Sequence, residues 1–164
     1  MLRRPAMLPT IPMTPGGYQN LKDELKRLRE IDRPAIIREI ATAREHGDLK
    51  ENAEYHAARD KQSFVEGRIE MLDDAIARAE VIDPSKLSGG KVAFGASVEL
   101  TNSATGEHVK YRIVGPVEAD LAGGSISVTS PLARSLIGRE VGDEVKVRTP
   151  GGERTFEVLS VAFR

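Results

Sequence analysis

The first half of the chain carries apolar residues at alternating spacings of three and four, which is typical of a helix with one apolar stripe. Before Gly47 the stripe slips by one position near Ile31 and Pro34, and its members are Leu21, Leu25, Leu28, Ile36, Ile40 and Ala43. After Gly47 it continues through Tyr55, Ala58, Gln62, Val65, Ile69, Leu72, Ile76 and Ala79. Two such stripes joined by a tight turn predict an antiparallel coiled-coil hairpin. Each arm of about 30 residues would be roughly 45 Å long.

Local signals mark the start of this hairpin and an irregularity within its first arm. Thr14 is a suitable N-cap, and Pro15 suits the first helical position because its missing N–H would have no partner there. Pro34 removes one helical hydrogen bond, so we expect a bend in the first arm near it.

In the second half of the chain, apolar residues alternate with polar ones, the period-two pattern of β-strands. The alternating sets are Val98/Leu100, Val109/Tyr111/Ile113, Ile126/Val128, Val145/Val147 and Phe156/Val158. Gly- and Pro-rich turns separate them, which predicts five short strands in a compact antiparallel sheet. Residues 131–138 have the spacing of one short helix.

These patterns together predict an α+β fold with a sharp change of period between the two halves. We expect an N-terminal extension at 1–13, the helical hairpin at 14–82, a linker at 83–90 and the sheet domain at 91–164.

Composition and charge exclude several classes of protein. The 164 residues contain no Cys, which excludes disulfides and thiolate metal sites. Near the start, prolines interrupt any apolar run, so we expect neither a signal peptide nor a membrane segment, and a cytoplasmic location. Translation could begin at Met1, Met7 or Met13. The net charge of −1 is spread along the chain, so any contact with nucleic acid should be local or arranged by a protein partner.

The chemistry-bearing candidates cluster around Gly47. Asp48 and Glu51 are three residues apart at the expected start of the second arm, where both could project from one helix face. Spacing alone favours a structural reading, because acids at a helix start act as caps and suit the helix dipole. The alternative is a Mg²⁺ site, since carboxylate oxygens suit that ion. Two acids are too few for a stand-alone cage, so other ligands would have to come from a partner or a substrate phosphate.

Other polar residues near the turn give weaker signals. His46 and His56 are best interpreted as polar surface residues. Arg44 and Arg59 could contact a phosphate backbone, although a solvated, salt-bridging face is the commoner use of arginines on a charged helix.

Two separated segments resemble a known family. Residues 43–59, AREHGDLKENAEYHAAR, closely resemble the tip signature of the bacterial Gre transcript cleavage factors, a family of transcription elongation factors, in its GreA type. A second match lies in residues 127–138, SVTSPLARSLIG, followed by TPGGE at 149–153. The similarity covers essentially residues 11–163.

The resemblance implies how such a protein would work. The coiled coil would enter the secondary channel of bacterial RNA polymerase, and an FKBP-like C-terminal domain, including Ser130 and Pro131, would dock at the rim of the channel. Asp48 and Glu51 would be the catalytic pair, holding Mg²⁺ jointly with the polymerase and not stably alone. A water placed by this site would then cut the backtracked transcript.

The resemblance also implies the partners. Arg44 and Arg59 would steady the nascent RNA 3′ end in the backtracked complex. We expect a monomer that makes no membrane contact and is an accessory factor, not an enzyme by itself.

Other functions remain open at this point. A channel-entering inhibitor would share the shape, although the intact acidic pair argues against it. A prolyl isomerase or chaperone needs an aromatic-lined apolar pocket, and this half of the chain offers few rings: Phe94, Tyr111, Phe156 and Phe163. A plain coiled-coil adaptor would not explain the acidic tip. A GreB-like subtype is disfavoured by the limited basic character near the tip.

Overall fold

A computed structural model of the protein describes residues 8–163, which divide into two compact units. One unit is the hairpin Tyr18–Arg78, and the other joins residues 79–163 with residues 8–17. The helices are α1 (Pro15–Arg27), α2 (Arg33–Arg44), α3 (Ala53–Ala77) and α4 (Pro131–Leu136). The strands are β1 (Ile11–Met13), β2 (Ala79–Val81), β3 (Ala96–Asn102), β4 (His108–Val114), β5 (Ser125–Ser127), β6 (Glu144–Thr149) and β7 (Gly152–Phe163). The predicted α+β class, with a helical hairpin, five strands and a short helix in the C-terminal half, is confirmed.

The apolar stripes of the sequence form the seam of the hairpin. Nine residues of the two predicted stripes are buried in the seam: Leu21, Leu28, Ile36, Ile40, Ala43, Ala58, Val65, Ile69 and Leu72. Ala75 is also buried. Tyr55 and Gln62 are half-buried at the same seam. Burying apolar side chains along one stripe is what holds two long helices together in water.

The first arm is irregular where Pro34 predicted it. A π-helical turn, Leu28–Asp32, separates α1 from α2, and the N–H of Arg33 donates to the carbonyl of Leu28. Pro34 has no N–H to offer an α-helical bond and its ring would crowd the preceding turn. The wider π-helical turn lets the helix continue through the proline.

Ion pairs also link the two arms. Arg33 binds Glu66 with two bonds of 2.7 Å, and Arg68 binds Glu24 with two bonds of 2.8 Å. Hydrogen bonding from Arg68 lowers the pKa of Glu24. Bidentate ion pairs of this kind restrain the relative position of the two arms more than single hydrogen bonds would.

The five-stranded sheet has the order β5-β4-β3-β7-β6. Three of its pairs are antiparallel as predicted, whereas β4 and β5 run parallel. Strand direction is set by the connection between strands, here residues 115–124, and a period-two pattern carries no information about it. The core lies between the sheet and α4, whose Ala133 and Leu136 are fully buried.

The segment that leads into α1 is part of the second unit. Residues 11–13, which the sequence analysis placed in an extension, form β1 and pair in parallel with β2. The predicted cap is confirmed, because the Thr14 hydroxyl accepts from the N–H of Gly17 at 3.1 Å. Glu118 in turn accepts from the N–H of Thr14 at 3.1 Å and from the N–H of Gly115 at 2.9 Å.

The predicted linker at 83–90 contains a single 3₁₀ turn, Pro84–Lys86. Pro84 is buried, and a Cβ added at Gly95 would lie 2.7 Å from its ring. Part of this segment is therefore packed against the second unit.

Candidate functional site at the hairpin tip

The tip of the hairpin is the turn between the end of α2 at Arg44 and the start of α3 at Ala53. Gly47 has a φ of +103°, in the left-handed region that favours glycine. Asp48 and Glu51 are exposed within this turn. The tip therefore presents both carboxylates to solvent on main chain that belongs to neither helix.

Helix α3 is capped by Asn52 and not by Asp48. The Asn52 Oδ1 atom accepts from the N–H of Tyr55 at 3.0 Å, and its Nδ2 atom donates to the carbonyl of Ala43 at 2.6 Å. The expectation that Asp48 and Glu51 project from one face of the second helix is wrong. They precede that helix, because the cap lies one residue beyond Glu51.

Asp48 is oriented locally, and Glu51 is not. The Asp48 Oδ1 atom accepts from the N–H of Lys50 at 3.0 Å, closing a turn on its own main chain. Within residues 8–163 the second oxygen of Asp48 and both oxygens of Glu51 accept no hydrogen bond. Asp48 and Glu51 line one open depression together with His46, Asn52, Ala53 and Glu54.

The donor set at the tip suits a hard divalent cation but is incomplete. Carboxylate oxygens are the ligands that Mg²⁺ takes from proteins, usually one or two of them with water or phosphate completing the shell. No group of three or more His, Asp or Glu side chains placed to hold a metal occurs in the described part of the chain. Asp48 and Glu51 fit the role of a partial ligand set.

The two arginines singled out in the sequence lie close together. Arg44 and Arg59 line one shallow depression with Ile37, Ile40, Ala41 and Gln62. The Arg44 guanidinium carbon lies 5.9 Å from the centroid of the Tyr55 ring, within the range of a cation–π contact. Both side chains are exposed and place positive charge beside the tip.

In the sheet unit, Ser130 and Pro131 start helix α4. The Ser130 hydroxyl accepts from the N–H of Ala133 at 3.2 Å, and Pro131 is the first helical residue and is exposed. Ser130 therefore has a structural use as an N-cap, whatever else it contacts.

Sequence reasoning missed the contribution of two tip residues. Asn52 was not considered as a cap, although Asn is among the preferred N-cap residues and the apolar stripe resumes three residues later. His56 is exposed, as predicted, but its Nε2 atom also lies 3.0 Å from the carbonyl oxygen of Lys50. No sequence signal marks that contact.

The comparison with protein families decides the affiliation of the chain. A family model described as "Transcription elongation factor, N-terminal" matches residues 11–81. A second, "Transcription elongation factor, GreA/GreB, C-term", matches residues 87–163. The chain belongs to the GreA/GreB family of transcription elongation factors. The resemblance stated from the tip and from residues 127–138 is confirmed.

Relatives within the family are similar over nearly their whole length. Transcription elongation factor GreA of Anaeromyxobacter sp. (strain K) is 60% identical over 153 residues, 93% of this chain and 92% of the relative. The GreA of Thermodesulfovibrio yellowstonii is 55% identical over 157 residues, 96% of this chain and 99% of the relative. The crystal structure of GreA factor homolog 1 from Thermus thermophilus is 30% identical, covers 93% of this chain and 99% of that chain, and has a TM-score of 0.43.

The competing functions considered from the sequence are not supported. Phe156 is buried in the sheet core, and Tyr111 and Phe163 pack against that core. Three of the four rings that an isomerase pocket would require are thus used for packing. None of the helices within residues 8–163 combines the length and the hydropathy that a membrane span requires.

Proposed function

We propose that this elongation factor works with bacterial RNA polymerase by bringing the Asp48 and Glu51 carboxylates into the polymerase active centre. There they stimulate cleavage of a backtracked transcript, and the polymerase resumes synthesis from the new RNA 3′ end. The factor is an accessory protein that completes a catalytic site and is not an enzyme by itself.

The observation that carries the proposal is the state of the two carboxylates. They are exposed in a turn, about 45 Å of helix from the first residue of α1. Three of their four oxygens accept no hydrogen bond from the described residues and are free to bind a ligand. Only Asp48 Oδ1 is used on the main chain, for the Lys50 N–H of its own turn, and the role of helix cap is filled by Asn52.

Asp48 and Glu51 would hold Mg²⁺ together with ligands supplied by the polymerase. When bound, the ion lowers the pKa of a coordinated water and stabilises negative charge on phosphate oxygens. The chain itself supplies two carboxylate ligands and the turn that orients them. In this proposal, no stable complex with Mg²⁺ forms in the absence of the polymerase.

Positive charge beside the pair suits the other reactant. Arg44 and Arg59 line one depression close to the tip, where guanidinium groups could bind the phosphates of the extruded RNA 3′ end. Ser130 and Pro131, at the exposed start of α4, belong to the surface that we expect to dock on the polymerase. We propose that the factor acts as a monomer in the cytoplasm.

The test is transcript cleavage on backtracked complexes that carry 5′-labelled RNA, with Mg²⁺ varied. Asp48→Ala and Glu51→Ala should each slow stimulated cleavage at least tenfold, which corresponds to about 1.4 kcal/mol of barrier. Binding to the polymerase, measured by competition with the labelled wild-type factor, should stay unchanged. The matched control is Glu45→Ala, which removes an exposed acid of the same turn that does not line the acidic depression.

Three results would overturn the proposal. Full cleavage by the double variant would exclude the carboxylate pair from the reaction. A loss with Glu45→Ala as large as with Asp48→Ala would indicate that bulk tip charge matters instead. Cleavage loss accompanied by unfolding of the hairpin would assign Asp48 a structural role.

A further inference from the structure

The main chain of Lys50 connects two side chains of the tip. Its N–H donates to Asp48 Oδ1 at 3.0 Å, and its carbonyl oxygen lies 3.0 Å from His56 Nε2. A carbonyl oxygen can only accept, so the His56 Nε2 atom must carry the proton and donate. The imidazole therefore holds the residue that in turn holds the Asp48 carboxylate.

His56 is itself attached to regular structure. Its N–H donates to the carbonyl of Asn52 at 3.1 Å, the first α-helical bond of α3. Its ring meets the half-buried Tyr55 ring edge-on, with centroids 5.7 Å apart. Helix α3 thus holds the main chain of His56 in place, and the imidazole extends from it to the Lys50 carbonyl in the turn.

We propose that His56 is a positioning residue that orders the turn carrying Asp48 and thereby directs the free oxygen of that carboxylate. The contact to Lys50 follows from geometry alone, and its consequence for catalysis rests on the proposed function. A Gly-containing, exposed turn has few other restraints: within the described residues, only Asp48, Asn52 and His56 hold residues 48–52 through side-chain bonds.

The chain offers a matched control in its other tip histidine. His46 is exposed, and its Nε2 atom lies 3.8 Å from the Glu54 carboxylate, too far for a hydrogen bond. Within residues 8–163 the His46 side chain makes no hydrogen bond to main-chain atoms, and only its own N–H donates, to the carbonyl of Ala43 at 3.2 Å. Replacing His46 should leave the turn as it is.

Two amide replacements of His56 separate the donor from mere polarity. The side-chain nitrogen of glutamine lies as many bonds from Cβ as Nε2 of histidine does. His56→Gln can therefore still donate to the carbonyl oxygen of Lys50. In asparagine the nitrogen is one bond closer to the backbone and cannot reach. His56→Gln should therefore behave as wild type, and His56→Asn as a loss variant.

The first measurement uses the isolated factor and no metal. Nitrogen-15 NMR should show the His56 ring protonated at Nε2 and the Lys50 amide protected from solvent exchange. That protection should fall several-fold in His56→Asn and persist in His56→Gln and His46→Gln. Equal protection in all four proteins, or loss in both His56 variants, would overturn the proposal.

The second measurement is the Mg²⁺ concentration for half-maximal transcript cleavage. Groups that orient metal ligands change metal affinity on the order of tenfold when removed, so we expect a shift of that size for His56→Asn alone. Polymerase affinity and the thermal midpoint should not change, which separates positioning from folding. If His56→Asn lost the protection of the Lys50 amide but needed the same Mg²⁺ concentration for half-maximal cleavage, the catalytic consequence would be overturned. Failure of Asp48→Ala to affect cleavage would overturn the proposed function, independently of the NMR result.

Discussion

Asn52 closes the hairpin tip with both ends of its amide, so substitutions there separate two contributions to stability. Aspartate at this position keeps the acceptor for the Tyr55 N–H but lacks the donor for the Ala43 carbonyl. Alanine lacks both. Asn52→Asp and Asn52→Ala thus form a graded pair. Asp48→Ala serves as the comparison, because Asp48 was the cap expected from the sequence.

The structure sets the size of each effect. Loss of an N-cap costs about 1 kcal/mol of helix stability. A side-chain to main-chain bond at a half-buried residue contributes about 1 kcal/mol. Asn52→Ala should therefore destabilise the hairpin by about 2 kcal/mol. Asn52→Asp should cost about 1 kcal/mol or slightly less, since its charge suits the helix start. Asp48→Ala should stay within about 0.5 kcal/mol, because Asp48 is exposed and bonds only its own turn.

Native-state hydrogen exchange at the α3 amides is the appropriate assay. It reports the opening free energy of the hairpin separately from that of the sheet unit. The opening free energies should follow the order wild type, Asp48→Ala, Asn52→Asp and Asn52→Ala, from highest to lowest. If Asp48→Ala opened α3 more easily than Asn52→Ala, the reasoning would fail and Asp48 would be the cap after all.

Two glycine substitutions test the space around the main chain in each unit, and acid, together with Glu24→Gln, tests an ion pair between the hairpin arms. Gly115→Ala should destabilise the sheet unit by about 1–3 kcal/mol in urea unfolding, since the added Cβ would lie 2.0 Å from the carbonyl oxygen of Pro12. Gly67→Ala should stabilise the hairpin by about 0.5–1 kcal/mol, because this α3 position is exposed with open space around it. Acid should weaken the hairpin below about pH 4.5, because Arg68 lowers the pKa of Glu24 in the folded state. The ion pair therefore contributes its full stability above the pKa of Glu24 in the unfolded chain. That contribution is lost as the pH falls through the lower pKa of Glu24 in the folded protein. In Glu24→Gln the free energy of unfolding should change less with pH in this range, by no more than about 1 kcal/mol for a half-buried pair at the surface.

The burial pattern made most of the fold predictable from the sequence. Stripes of period 3.6 and period two report which side chains are buried, and burial is the largest stabilising contribution. The hairpin seam and all five strands of the sheet follow from it. The position of the acidic pair at the turn followed from the sequence pattern. Its role in holding Mg²⁺ came from the family resemblance and stays a prediction, since spacing alone favoured a cap.

The features that could not be predicted depend on main-chain geometry or on single hydrogen bonds. The parallel pairing of β5 depends on the path of residues 115–124, and the π-helical turn depends on how the helix accommodates Pro34. The choice of Asn52 over Asp48 as the cap is decided by about 1 kcal/mol. Differences of that size lie below what an apolar pattern can resolve.

The tip has to satisfy two opposing requirements if the proposed function holds. Carboxylates that complete a site in another molecule cannot be ordered by burial, because they must remain accessible. Ordering a free side chain on docking costs up to about 2 kcal/mol for glutamate. The bond from Lys50 to Asp48 removes part of that cost in advance for one carboxylate, whereas Glu51 has no such bond among the described residues. Asp48 would then enter the polymerase with its direction already set, and Glu51 would adopt its direction only on docking. Restraint by main-chain hydrogen bonds is thus the means by which an exposed turn can be both accessible and ordered.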